Sequence, residues 1–135
     1  MSENADKKLL SNLNVLVADD DEHMRALAVT LLRDMGIKKI TNAENGEDAI
    51  DKYCDACDAK AEFNLVICDW TMPLKDGLDV LKAVRDKQPN VAFVMLTAKK
   101  TMESVLEAKQ KGISAYIAKP FSTSDFDKII RRVIK

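Results

Sequence analysis

Short apolar runs alternate along this chain with longer stretches in which apolar residues recur every three or four positions. Asn14–Ala18, NVLVA, is a run of strand-favouring residues. From Asp21 onward Met24, Leu27, Ala28, Leu31, Leu32 and Met35 follow at helical spacing, and Gly36 supplies a left-handed stop. Residues 37–43 predict a weaker second strand, and Glu44, Asn45 and Gly46 a turn. A helix carrying Ala49, Ile50, Tyr53, Cys54 and Cys57 then ends near Lys60. Leu65, Val66, Ile67 and Cys68 run without alternation, as a parallel strand buried on both faces does. Leu78, Leu81 and Val84 predict a third helix stopped before Pro89, and residues 91–96, VAFVML, another buried strand. Met102, Val105, Leu106 and Ala108 predict a fourth helix ending at Gly112 and contributing chiefly to the core, with one residue left for a binding surface. Ala115–Ala118 is the fifth strand. Phe126, Ile129, Ile130, Val133 and Ile134 mark the last helix. Strands and helices in strict alternation predict a parallel α/β sheet joined by right-handed crossovers, with helices on both faces.

Composition narrows this picture. A length of 135 residues suits one domain, and we expect residues 1–12 to be a flexible polar lead-in and residues 13–135 a single folded unit. Lys plus Arg number 21 against 22 Asp plus Glu, so the net charge of -1 gives no reason to expect direct nucleic-acid or membrane binding. The start has no apolar leader core and no later run is long enough to span a bilayer, which predicts a cytoplasmic protein. Three cysteines, an odd number, fit reduced thiols better than a secreted disulfide framework.

Candidate chemistry gathers at the ends of the predicted strands, where ligands sit in open α/β sheets. Asp69 closes the central strand and is the candidate nucleophile; the plainer alternative is a helix cap or turn residue. Asp19 and Asp20 follow the first strand. Hard oxygen donors in a small open cluster suit Mg2+, which keeps several waters and is held by one or two carboxylates plus a phosphate. Thr97 after the fourth strand and Lys119 after the fifth add a hydroxyl and a cation. His23 and the cysteines offer no zinc set.

These residues stand in the stretches VLVADDDEHMR, ICDWTMPLKDG, MLTA and SAYIAKPF, in that order. With them the chain resembles the receiver domains of the bacterial response-regulator family, CheY-like members in particular, over nearly its whole length. The resemblance implies a flavodoxin-like (βα)5 three-layer sandwich whose parallel five-stranded sheet has the order 2-1-3-4-5. It makes Asp69 the phosphoacceptor, Asp20 a direct Mg2+ ligand, Asp19 a neighbour acting partly through water, and the Thr71 carbonyl a further ligand. Lys119 would bind the phosphoryl oxygens, Thr97 would hydrogen-bond the phosphoryl group, and Tyr116 would move with it. A cis Lys119–Pro120 bond is implied as well. Three consecutive Asp residues leave the register of the pair open by one place, although alignment with the strand favours Asp19 and Asp20 over Asp21.

The implied function is that of a monomeric single-domain regulator. It takes a phosphoryl group from a sensor histidine kinase or phosphotransfer domain. It then signals by binding a downstream protein, such as the flagellar motor switch, on the face made by the fourth helix, fifth strand and fifth helix. A phosphorelay shuttle or phosphate sink is the alternative within the family. Outside it stand a haloacid-dehalogenase-type phosphohydrolase, which wants an Asp where Thr71 stands, and a binding module that no longer takes phosphate. The chain is otherwise expected not to be an enzyme. Thr71 and Lys99 depart from the family pattern beside the path of the attacking water, so they are the candidates for tuning dephosphorylation. Gly46 to Asp69 is longer than in CheY-like members, which predicts an extra helical turn bearing Cys54 and Cys57. That C-x-x-C spacing also occurs in redox proteins. Here it lies late in a helix and continues an apolar face, so half-buried thiols are expected.

Overall fold

The computed structural model describes residues 8–98 and 102–134, the side chains of Met102 and Ser104 excepted. Five strands alternate with five long helices: β1 (Asn14–Ala18), α1 (Glu22–Met35), β2 (Lys39–Ala43), α2 (Gly46–Asp58), β3 (Leu65–Asp69), α3 (Gly77–Lys87), β4 (Ala92–Thr97), α4 (Met102–Gln110), β5 (Ala115–Ala118) and α5 (Thr123–Val133). All pairings are parallel and the order is β2-β1-β3-β4-β5, the flavodoxin-like arrangement expected. No helix among the described residues is long and apolar enough to cross a membrane.

Because successive side chains leave a strand on opposite faces, each strand feeds two cores. Val15, Val17, Leu65, Ile67, Val94, Leu96 and Ile117 face one side, where Ala28, Leu31 and Leu32 of α1 and Phe126 and Ile130 of α5 cover them. Leu16, Ala18, Val66, Cys68, Phe93 and Met95 face the other, under Ala49 and Tyr53 of α2, Val80, Leu81 and Val84 of α3, and Ala108 of α4. Doubly covered strands explain why β3 reads as an unbroken apolar run.

The helices begin and end where local chemistry says they should. Asp21 caps α1 by accepting from the His23 and Met24 amides, and Gly36 ends it with φ 106°. Asp76 and Asp79 form a reciprocal capping box on α3.

Part of the stretch expected as a flexible lead-in is folded. Residues 8–11 form a helical turn whose Leu10 is 3% exposed and belongs to the α1/α5 core, so apolar burial organises this stretch. On α4, Ala108 is buried, Val105 half-buried and Leu106 49% exposed, so among its described side chains this helix gives the core less than its apolar spacing predicts.

Candidate functional site

Strand register builds the site. Ala18 lies opposite Cys68, Asp69 opposite Leu96, and Thr97 opposite Ala118, so Asp19, Asp69, Thr97 and Lys119 emerge side by side at the carboxyl edge of the sheet. The backbone holds that edge closed: the Trp70 amide donates to the Leu96 carbonyl and the Lys119 amide to the Thr97 carbonyl, each at 2.8 Å.

Asp19 is fully buried and Asp69 is 7% exposed, whereas Asp20 faces solvent. One ligand oxygen from each of the three lies within 4.8 Å of the others, close enough to hold one cation. Both Asp19 oxygens are engaged: Oδ1 accepts from the Asp21 amide at 2.9 Å and Oδ2 from the Lys119 ammonium at 2.9 Å. The same ammonium lies 3.2 Å from Asp69 Oδ1. Burial first, and then the Asp19 charge, push the Asp69 carboxyl up to about 6 against the pull of Lys119. Burial works against the Lys119 charge, yet its contacts with Asp19 and Asp69 outweigh that and raise it overall. The site is thus carboxylate-rich, with more negative charge than one ammonium offsets, and all of its donors are hard oxygens. Those are the features a small divalent cation such as Mg2+ requires.

Thr97 is 1% exposed at the edge of this cluster, and Tyr116 on β5 is 40% exposed. The Lys119–Pro120 bond is cis. Thr71 is exposed in the loop after β3, and His23 is exposed on the first turn of α1 and is not a member of the metal-ligand grouping found among the described residues. Lys99 lies outside the described residues. Cys54 and Cys57 are half-buried free thiols, and burial raises the Cys57 thiol, so they sit as the apolar face of α2 predicts.

Two supports were not visible in the sequence. The Arg25 guanidinium donates to the Asp19 carbonyl at 2.6 Å, fastening the acidic loop to α1. Gly46 lets α2 approach the loop after β3 so closely that a Cβ there would stand 1.9 Å from the Lys75 carbonyl oxygen. Its only signal was a glycine at a helix start, which turn chemistry explained equally well.

The profile of the family described as the response regulator receiver domain matches residues 15–131. The chain belongs to that family. Among receiver relatives, chemotaxis protein CheY-3 of Vibrio cholerae is 34% identical over 131 residues, covering 93% of this chain and 97% of its own. Chemotaxis protein CheY of Pseudomonas aeruginosa is 29% identical over 125 residues, covering 91% and 97%. Among solved structures, Vibrio cholerae CheY4 superposes with a TM-score of 0.79 at 31% identity, over 90% of this chain and 98% of that one. The CheX–CheY–BeF3–Mg2+ complex of Borrelia burgdorferi reaches 0.84 at 25% identity, over 91% and 90%. The chain is therefore a CheY-like receiver domain of the chemotaxis response-regulator type, a signalling family.

Proposed function

We propose that this receiver accepts a phosphoryl group on Asp69 from a phosphohistidine of a kinase or phosphotransfer domain, and signals by phosphorylation-dependent protein binding. The observation that carries the reading is the recessed Asp69 carboxylate with Lys119 at 3.2 Å and two further carboxylates beside it at the carboxyl edge of the sheet. With its carboxyl near 6, Asp69 is mainly ionised at pH 7 and able to attack. An Asp69 oxygen attacks phosphorus in line with the leaving imidazole. The P–N bond breaks as the acyl phosphate P–O bond forms, and the imidazole carries away the electron pair. Asp20, Asp69 and the Thr71 carbonyl would hold Mg2+, with Asp19 acting partly through water because its oxygens are already engaged. Bound there, the cation supplies charge neutralisation on the phosphoryl oxygens. Lys119 neutralises the opposite side of the group by exchanging a carboxylate oxygen for a phosphoryl oxygen.

Output follows from Thr97. Its hydroxyl bonds the new phosphoryl oxygens when its loop moves inward, and Tyr116 takes the space left behind, reshaping the face of α4, β5 and α5. Exposed Lys109 and Lys111 near that face suit an acidic or amphipathic partner, with a flagellar motor protein as the leading candidate. The Borrelia CheY bound to CheX supports protein partners for this fold in general. A lifetime of the phosphorylated form set by Thr71 and Lys99 belongs to the same proposal.

The test is labelling by acetyl phosphate with Mg2+, followed by intact mass. Wild type should gain one phosphoryl group and change the emission of Trp70, the single tryptophan. An Asp69→Asn protein that still labels fully would sink the assignment.

A further inference from the structure

Leu74 combines two features that the packing of the chain does not explain. Its side chain is 71% exposed. Its φ of 72° lies in the left-handed region, where a leucine Cβ crowds the following carbonyl and Gly or Asn would sit more easily. The Lys75 amide donates to the Pro73 carbonyl at 2.8 Å across it, which makes Leu74 the centre of a γ-turn of positive φ, the rare and strained form. A leucine facing solvent in this conformation belongs to neither core.

The surrounding loop holds this residue in place. Trp70 and Met72 are buried before it. The Gly77 amide closes the loop on the Trp70 carbonyl at 2.7 Å, and the Asp76–Asp79 capping box fixes where α3 begins. The loop springs directly from Asp69, which is only 7% exposed. A phosphohistidine must therefore reach inward to meet the carboxylate, and the donor surface around it must come against the loops at the carboxyl edge of the sheet, the exposed loop that carries Leu74 among them. An apolar side chain carried on a backbone held in this way costs little loop ordering on binding, which is a property of an interface anchor.

From this we infer that Leu74 is a docking anchor for the phosphodonor protein, seating in an apolar recess beside the donor's phosphohistidine. The inference rests on the proposed phosphoacceptor role of Asp69. A downstream partner on α4, β5 and α5 would instead find the exposed Leu106 and Tyr116, on other elements.

The experiment compares wild type, Leu74→Asn, which tolerates positive φ but removes the apolar group, and Leu74→Met, which keeps it. Each is labelled by acetyl phosphate and by a phosphohistidine domain, taken from a panel of histidine-kinase phosphotransfer domains as the one that labels wild type fastest. With acetyl phosphate the three proteins should agree within about two-fold. With the protein donor, Leu74→Asn should raise KM about ten-fold with kcat little changed, as loss of one buried apolar contact does, and Leu74→Met should restore most of it. Relief of strain should also raise the melting temperature of Leu74→Asn. Equal KM values for wild type and Leu74→Asn overturn the anchor. An equal loss with acetyl phosphate overturns it as well, by locating the effect in the site rather than in docking. A wild type that neither donor labels overturns the phosphoacceptor role itself, and the anchor with it.

Discussion

Asp69→Asn should make the metal-free protein more stable at neutral pH while abolishing its labelling. The folded chain holds the Asp69 carboxyl near 6 instead of 3.8, so between those values the native state binds a proton that the unfolded state has already released. Stability therefore falls as pH rises through this window, and the deficit persists above it. A shift of about two units corresponds to a ceiling of about 3 kcal/mol, and because the mouth of the site opens to water we expect about 1–2 kcal/mol. The attraction of Lys119 is already contained in that figure, since the shift is upward despite it. An isosteric amide carries no charge and escapes the deficit. Urea denaturation in EDTA at pH 7.5, 6 and 4 would show the variant ahead at the first pH and level with wild type at the last. Saturating Mg2+ should narrow the gap by stabilising wild type selectively. A variant no more stable than wild type at pH 7.5 in EDTA, or a lead that persists unchanged at pH 4, would refute the reasoning.

Three further outcomes are expected. Asp20→Asn should weaken Mg2+ binding about ten-fold or more by Trp70 titration, whereas Asp21→Asn should change it little, because Asp21 is the cap of α1 and Asn caps equally well. Arg85→Ala should cost about 2–3 kcal/mol in urea melts, since its guanidinium donates to the Gly112, Gln88 and Val91 carbonyls, twice to the first. Gly46→Ala should cost about 2 kcal/mol or more and slow acetyl phosphate labelling, because its Cβ would drive into the Lys75 carbonyl and displace the loop that follows Asp69.

Strand and helix positions were legible because burial on two faces leaves unbroken apolar runs and burial on one leaves a helical period. Residues 8–11 depart from the expected lead-in because one leucine, Leu10, docks a turn whose Lys8 and Leu9 stay exposed. Strand order came from the family resemblance, since periodicity says which face is buried but not which strand is the neighbour. Asp19, Asp69, Thr97 and Lys119 could be marked as strand-end residues, and register then brought them together. The approach of Gly46 to Lys75 depends on distant backbone meeting in space, while the Arg25 bond to the Asp19 carbonyl and the left-handed Leu74 are set by the path of two short loops. Apolar periodicity carries no signal for either kind of contact.

The uneven anchoring of the helices has a consequence for motion. α1 buries Ala28, Leu31, Leu32 and Met35, and α3 buries Val80, Leu81 and Val84, whereas among the described side chains of α4 only Ala108 is buried. Local opening free energy follows buried apolar contact, so on its described side chains α4 is held less firmly than α1 or α3. Its amides should exchange with deuterium well ahead of those of α1 and α3. Were the sheet edge beside Thr97 to shift, this lightly anchored helix would yield before α1 or α3, with little demand on the stability of the rest.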